Sequence, residues 1–154
     1  MDAAVAAERV IELEPARGYP RVLAAAARTR MGEGAAMMRT IDSLTEGAPG
    51  DPMLLAARGE ARLEADRFTE AGADLERALR AEPGDPFTAL ALARALHGAG
   101  ADQEARHVLL RVFALAPHLE GAWMLLAEIA AARGDTAERD SALVRVMALR
   151  AAAP

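Results

Sequence analysis

The histidines are the first candidates for metal binding or acid–base catalysis, and His97, His107 and His118 are the only ones. Glu104 and His107 stand three residues apart, a spacing with which helical bundles hold a di-iron centre. Such a centre needs a second motif of this kind and two further glutamates, and the second motif is missing. We therefore interpret His107 as a surface residue of a helix and expect no metal and no cofactor.

The remaining nucleophiles lack the surroundings that catalysis requires. Ser43 and Ser141 are the only serines, and neither lies in a Gly-x-Ser-x-Gly elbow. The segment from Gly47 to Gly50 lacks the lysine of a phosphate-binding loop. The chain has no cysteine, which excludes disulfides, thiolate metal sites and a cysteine nucleophile. The sequence predicts a protein without catalytic activity.

The charge balance argues against a nucleic-acid partner. The net charge is −5, and all 18 basic residues are arginine. Nucleic-acid binding needs clustered positive charge, and the chain shows neither a basic stripe nor an aromatic platform for bases. Lysine and asparagine, whose codons are rich in A, are both absent, which indicates a GC-rich bacterial genome.

The N-terminal segment MDAAVAAERVIELEP carries charges every few positions and lacks the basic start and apolar run of a signal peptide. No stretch approaches the roughly 20 apolar residues of a membrane-spanning helix. We expect a cytoplasmic protein that does not contact a membrane. A periplasmic location stays open if the chain is a fragment of a longer protein.

The elements that position these residues follow from an internal repeat. The hydrophobic share is 53%, mostly Ala and Leu, and both are strong helix formers. Four of the eight prolines stand 34 residues apart, which predicts a repeated helical element. They are Pro15, Pro49, Pro83 and Pro117. Apolar columns with the same period contain Ala7, Ile41, Leu75, Leu109 and Leu143, and Val10, Leu44, Ala78, Val112 and Val146.

One repeat shows the predicted helices. Asp51 as N-cap and Pro52 in the first turn begin a helix over about 52–65. A second helix covers about 68–81, and the Pro-Gly-Asp-Pro segment 83–86 ends it. The last helix covers about 136–150 and places Leu143, Val146 and Met147 on the equivalent apolar face. Since one such pair cannot bury its apolar face alone, neighbouring pairs must stack.

A column of small residues indicates where the two helices of a pair cross closely. A large side chain there would push the helices apart, at about 1–3 kcal/mol. The column contains Ala25, Gly59, Ala93 and Ala127.

This pattern resembles the tetratricopeptide repeat family over nearly the whole chain. The small column, the closing prolines, the small residues Ala71 and Ala105 and the early aromatic Trp123 match the family's positions. The resemblance implies an all-α, right-handed α-solenoid of antiparallel helix pairs, with about nine helices. It implies a single domain over 1–154, with a leading half repeat 1–17 and repeats 18–51, 52–85, 86–119 and 120–153.

Several residues depart from the family pattern. Arg28 and Arg62 stand where an aromatic residue or Leu is usual, and Arg58 stands where Leu is usual. Met37 and Arg139 occupy a column that otherwise holds small residues.

The resemblance also implies that the first helices line a concave groove for a protein or peptide. Large exposed apolar side chains there would favour partner contact, although some of them could instead pack between neighbouring repeats. The groove residues would be Tyr19, Val22, Arg30, Met53, Glu60, Leu63, Glu64, Phe87, Leu90, Arg94, His97, Met124 and Glu128.

Two features limit the kind of partner. Glu60, Arg94 and Glu128 share one column, where Arg94 could grip a partner carboxylate or form an internal ladder, and we favour the ladder. Some family members clamp a C-terminal carboxylate with Lys, Asn and Arg, and this chain has neither Lys nor Asn.

Three functions remain in competition. We favour a non-catalytic interaction scaffold that holds a peptide or helix of a partner. The alternatives are a regulatory or substrate-presenting module of a larger bacterial enzyme, and a self-assembling structural protein. The apolar residues of the last helix suggest that an end of the stack meets further chain, a partner or a second copy.

Overall fold

The structure is a computed structural model that describes residues 34–152. Within this range the chain forms helices joined by short turns, with no β-strand. The prediction of an all-α fold is confirmed. The described residues contain seven helices rather than the nine or so expected for the whole chain, and the remaining ones were predicted in residues 1–33, outside the described residues. The helices are α1 Gly34–Gly47, α2 Pro52–Glu64, α3 Phe68–Ala81, α4 Pro86–Gly98, α5 Asp102–Leu115, α6 Glu120–Ala132 and α7 Thr136–Ala151.

The starts of α2 and α4 follow from their Asp-Pro dipeptides. Asp51 accepts hydrogen bonds from the backbone N–H groups of Met53 and Leu54, at 2.9 and 3.2 Å, and Asp85 caps α4 in the same way. The proline that follows lacks an N–H group, which costs nothing in the first turn of a helix. The predicted cap and both helix boundaries of this repeat are confirmed within one residue.

Each turn inside a helix pair contains one residue with left-handed backbone. These are Asp66, Gly100 and Gly134, with φ of 56°, 80° and 73°, and they stand 34 residues apart. Glycine adopts this conformation without steric cost, whereas Asp66 carries a Cβ that crowds the backbone. The turn geometry therefore repeats even where the residue type does not.

The chain divides into two compact units, Met1–Glu82 and Pro83–Pro154. In the first unit, α2 and α3 run antiparallel, since Arg58 contacts Asp74 while Arg62 approaches Glu70. Ile41 of α1 packs with Ala61 of α2. The buried apolar residues of this unit are Ile41, Leu54, Leu55, Ala57, Ala61, Leu63, Ala71, Leu75, Ala78 and Leu79.

In the second unit, α4 with α5 and α6 with α7 form two further pairs. Glu120 at the start of α6 is paired with Arg150 near the end of α7, as antiparallel packing requires. The rings of Phe113 on α5 and Trp123 on α6 stack with centroids 4.0 Å apart and join the two pairs. The large buried residues of this unit are Leu92, Leu109, Val112, Leu125, Ile129 and Val146.

The small-residue column lies at close helix crossings, as predicted. Gly59, Ala93 and Ala127 are all buried. A Cβ on Gly59 would lie 2.6 Å from Cγ of Leu75 on the facing helix, which is too close for two carbon atoms. Glycine at position 59 therefore allows Leu75 to be fully buried.

The apolar face predicted for the last helix is buried only in part. Val146 is buried, but Leu143 and Met147 are 37% and 69% exposed. Their repeat equivalents on α5 are Leu109, which is fully buried, and Phe113, which stacks on α6. Within residues 34–152 no other helix packs over the outer side of α7.

Candidate partner-binding surface

The first turn of α4 presents a large aromatic side chain to solvent. The Asp85 cap fixes the backbone of Phe87, whose N–H lies 3.0 Å from the Asp85 carboxylate. The Phe87 side chain is nevertheless 65% exposed. The helix start is therefore capped, while the ring that it carries lacks the burial expected of a core residue.

Beside Phe87, the groove face of α4 meets α6. A Cβ on Gly121 would lie 3.2 Å from Cδ2 of Leu90, which is a tight contact. The absence of a side chain at position 121 therefore lets Leu90 pack against α6. Leu90 and Met124 are half-buried. Leu90 thus packs between neighbouring first helices, which was the alternative role considered for the predicted groove residues.

The C-terminal end of the same face is polar. His97 Nδ1 lies 2.6 Å from Oδ1 of Asp102, across the turn between α4 and α5. His97 is half-buried and is held by its own helix pair, so its side chain serves the turn. Arg94 and Glu128 are exposed on α4 and α6. The ladder of Glu60, Arg94 and Glu128 stays a prediction.

In the first unit, α2 carries the corresponding face. Met53, one repeat before Phe87, is 46% exposed, and Glu60 and Glu64 are exposed as well. Leu63, which the pattern also assigned to the groove, is buried in the core of this unit. The three predicted groove residues Tyr19, Val22 and Arg30 lie outside the described residues.

The arginines that depart from the family pattern form a charged cluster with Asp74 of α3. Arg58 donates from Nε to Oδ2 and from Nη2 to Oδ1, both at 2.7 Å, and Arg62 donates from Nη1 to Oδ2. The hydrogen bonds between Arg58 and Asp74 raise the pKa of Arg58 above its ordinary value, and the negative charges of Asp74 and the nearby Asp42 add to this effect. Arg62 also approaches Glu70. The sequence interpretation missed this cluster.

The signal that could have revealed the cluster lies in the repeat itself. One repeat later, the positions of Arg58, Arg62 and Asp74 carry Leu92, Leu96 and Val108. All three residues change from charged to apolar together. Coordinated replacement of this kind indicates that the three side chains contact one another.

A second missed feature is a repeated bond from arginine to a proline carbonyl. Arg77 donates to the carbonyl oxygen of Pro49 at 2.7 Å, and Arg111 donates to that of Pro83 at 3.4 Å. Each bond spans 28 residues and connects the second helix of a pair to the segment that precedes the pair. The equal spacing was visible in the sequence, but the acceptor is a backbone oxygen, which any residue type provides.

The next member of the arginine series behaves differently. Trp123 Nε1 donates to the carbonyl of Pro117 at 2.9 Å and so occupies the equivalent acceptor. The guanidinium of Arg145 lies over the Trp123 ring instead, 5.8 Å from its centroid. Trp123 therefore joins the two pairs by stacking on Phe113 and by its hydrogen bond to the Pro117 carbonyl, and it contacts Arg145 within its own pair.

The described residues contain no group of three or more His, Asp or Glu side chains that could hold a metal ion. The predicted partner of His107 in a metal motif, Glu104, is exposed beside it on α5. None of the helices within 34–152 has the length and apolar character needed to cross a membrane.

Residues 62–129 match the tetratricopeptide repeat family model. No curated protein matches the chain significantly. Among solved structures, the chain is similar to TTC0263, a thermophilic TPR protein in Thermus thermophilus, with a TM-score of 0.81 and 17% identity. That alignment covers 96% of this chain and 85% of the other.

The chain is also similar to MamA residues 41 to the end from Desulfovibrio magneticus RS-1, with a TM-score of 0.79 and 17% identity over 96% of this chain and 83% of that one. A further crystal structure of MamA gives a TM-score of 0.76 and 12% identity, and covers 96% and 86% of the two chains. At these identities the likeness shows the fold.

Proposed function

We propose that this chain, whose residues 62–129 match the tetratricopeptide repeat family model, is a non-catalytic scaffold that holds a peptide or helix of a partner protein. The binding surface in this proposal is the face of the first helices. In the second unit this face is formed by α4 and α6. In the first unit it is formed by α2.

The exposure of Phe87 is the observation that carries the proposal. A phenyl ring that is 65% exposed loses the free energy that burial would provide, and that free energy becomes available when a partner covers the ring. Aromatic side chains and Met are enriched in protein interfaces. Phe87 stands on a capped helix start, so little backbone entropy is lost when the contact forms.

The neighbouring side chains define the chemistry of the partner. Leu90, Gly121 and Met124 add an apolar surface beside Phe87, whereas Arg94 and Glu128 lie exposed farther along the helices. A partner segment with an apolar residue at one end and polar residues at the other would match this order. An amphipathic helix or an extended peptide meets that requirement.

The first unit supports the same assignment independently. Met53 occupies the repeat position of Phe87 and is 46% exposed. Met adapts its shape to different surfaces, which suits a contact with a partner. The acidic Glu60 and Glu64 follow on the same helix, so this unit also presents apolar residues before polar ones.

The proposal can be tested by affinity capture from the host, with the captured proteins identified by mass spectrometry. Phe87→Ala should lose the partner while the chain keeps its melting temperature. Leu110→Ala is the matched control, because Leu110 on α5 is 67% exposed but lies on a second helix. A partner that is retained by Phe87→Ala, or lost equally in Leu110→Ala, would contradict binding at the first helices.

The proposal includes neither nucleic acid nor a cofactor. The net charge of −5 is unfavourable for binding phosphates, and nothing in the described helices holds a metal-binding cluster. A cytoplasmic location stays a prediction.

A further inference from the structure

The helix pair α2–α3 keeps three charged side chains largely out of water. The side chain of Asp74 is 3% exposed, and those of Arg58 and Arg62 are 15% exposed. Charges that leave water lose hydration, and their mutual attraction compensates fully only when every polar atom is bonded. The Nε atom of Arg62 is buried without a partner. The contact between these two helices is therefore less stabilising than an apolar contact of similar size.

The pair α4–α5 has an apolar contact at the same place. The repeat equivalents of Arg58, Arg62 and Asp74 there are Leu92, Leu96 and Val108. Leu92 is buried, and the other two side chains are half-buried. Burial of apolar side chains stabilises a helix pair without the desolvation of a charge. The two pairs thus share one fold but differ in what holds their helices together.

Two backbone positions also favour the pair α4–α5. In the turn within each pair, Asp66 adopts a φ of 56° that Gly100 adopts at 80° without a crowding Cβ. In the small-residue column, Gly59 of α2 corresponds to Ala93 of α4, and alanine has the higher helix propensity. Both differences weaken the pair α2–α3, in the same direction as its charged contact.

The second unit has a charged contact of its own, which is more hydrated. Arg106 of α5 pairs with Glu138 of α7, and one atom of each, Nε and Oε2, is buried without a partner. Their side chains are 33% and 23% exposed, so they keep more of their hydration than Asp74 does. This contact also joins two neighbouring pairs and does not replace the apolar contact within either of them.

We propose that the pair α2–α3 is a release element, which opens as one unit while residues 83–152 stay folded. In a repeat protein each pair contributes its own stability, so the weakest pair opens first. The two helices open together because Arg58 and Arg62 of α2 both bond to Asp74 of α3. Separation of the helices breaks all of these bonds at once.

The release element carries one half of the proposed binding surface. Met53 lies on α2, whereas Phe87 lies on α4. Opening of the pair α2–α3 removes the Met53 half and leaves the Phe87 half in place. This consequence rests on the proposed function, but the opening itself does not. The Phe87→Ala capture experiment and the exchange experiment below can therefore fail independently.

The test measures amide hydrogen exchange of the full chain by mass spectrometry, corrected for the intrinsic rate of each sequence. Residues 54–63 and 71–79 are compared with the equivalent residues 88–97 and 105–113. We expect exchange in the first pair to be about tenfold faster or more. Equal exchange in the two pairs would overturn the proposal. This comparison needs no substitution, so it decides the proposal even if a variant fails to fold.

A variant with four substitutions tests the cause. It gives the first pair the residues of the second: Arg58→Leu, Arg62→Leu, Asp66→Gly and Asp74→Val. Exchange in 54–63 and 71–79 should slow to the rate of the second pair. The matched control is Gly100→Asp, which should speed exchange in the second pair and not in the first. A first pair that exchanges as fast in the four-substitution variant as in the wild type would overturn the assigned cause.

Urea unfolding gives an independent measurement. Trp123 is the only tryptophan and lies in the second unit, whereas far-UV circular dichroism reports on all helices. In the wild type, ellipticity should begin to fall at a lower urea concentration than the one at which Trp123 emission changes. The four-substitution variant should bring the two transitions together. Coincident transitions in the wild type would contradict a release element, because the whole chain would then unfold in one step.

Discussion

Arg58 of α2 grips Asp74 of α3 with two parallel hydrogen bonds, and the Asp74 side chain is only 3% exposed. A bidentate pair of this kind fixes distance and orientation together. Arg62 adds a third bond to the same carboxylate, while its Nε is buried without a partner. The cluster therefore fixes the packing of α2 on α3 but leaves one donor unsatisfied.

Removal of Asp74 should be costly because both guanidinium groups lose the carboxylate that they bond to directly, and only the longer ion pairs with Asp42 and Glu70, at 3.7 and 3.8 Å, remain. Asp74→Ala should lower the free energy of unfolding by about 3–5 kcal/mol. Asp74→Asn keeps the shape and part of the hydrogen bonding, so its loss should be smaller. Urea unfolding followed by circular dichroism measures both. A loss within error for Asp74→Ala would mean that the arginines are already satisfied by water.

Replacement of the whole cluster should have the opposite outcome. The triple variant Arg58→Leu, Arg62→Leu and Asp74→Val carries the residues of the next repeat. Apolar replacement of a buried ion cluster is neutral or stabilising by about 1–4 kcal/mol, since the desolvation cost disappears. We expect the triple variant to be at least as stable as the wild type in the same urea titration. A triple variant less stable than Asp74→Ala would show that the charges are essential to this pair.

The helix boundaries and the repeat could be predicted from the sequence because their signals are local. The dipeptide Asp51-Pro52 is enough to predict the start of a helix. The 34-residue period places Leu75 and Leu109 in equivalent positions, and both are buried. Contacts between distant side chains leave no such local signal. Arg58 lies 16 residues from Asp74, and by itself the sequence shows Arg58 only as a departure from the family pattern.

The partial burial of the last helix and of the predicted groove residues shows a second limit of prediction from the sequence. Met147 has the same periodic position as Phe113, yet periodicity states only which side of a helix is apolar. Whether that side is buried depends on what packs against it. For the same reason, the family resemblance assigned Leu63 and Phe87 alike to the groove, while the structure buries the first and exposes the second.

The close approach of Gly59 to Leu75 gives a test of the packing. Gly59→Ala should cost about 1–3 kcal/mol through overpacking, because the new Cβ meets the Leu75 side chain. Leu75→Ala alone should cost about 2–5 kcal/mol. The double variant should lose less than the sum, since the smaller residue at 75 makes room for the added methyl group. Gly84→Ala is the control, because a Cβ there meets nothing within 4 Å.

The left-handed turn at Asp66 predicts a stabilising substitution. Asp66→Gly should raise the free energy of unfolding by about 1 kcal/mol, because glycine adopts a φ of 56° without a Cβ clash. Gly100 and Gly134 already hold this position in the other pairs. The reverse change, Gly100→Asp, should lower stability by a similar amount. Equal stability of Asp66→Gly and wild type in urea unfolding would mean that the Asp66 side chain offsets its own strain.

Trp123 is the only tryptophan, so its fluorescence reports on the second unit alone. Trp123→Phe keeps a ring that can stack on Phe113 but removes the hydrogen bond to Pro117, and should cost about 0.5–1.5 kcal/mol. Arg145→Ala removes the cation above the ring and should cost about 0.5–1 kcal/mol.

Arg145→Ala should also change the Trp123 emission, whereas Arg77→Ala, in the first unit, should leave the emission unchanged. The contrast follows from geometry, since Arg145 contacts the indole ring and Arg77 bonds to the Pro49 carbonyl. Emission spectra of the two arginine variants and urea unfolding of all three variants provide the measurement. An equal change of emission in Arg145→Ala and Arg77→Ala would contradict a specific contact between Arg145 and the Trp123 ring. Both arginines would then affect the emission only through the stability of the fold.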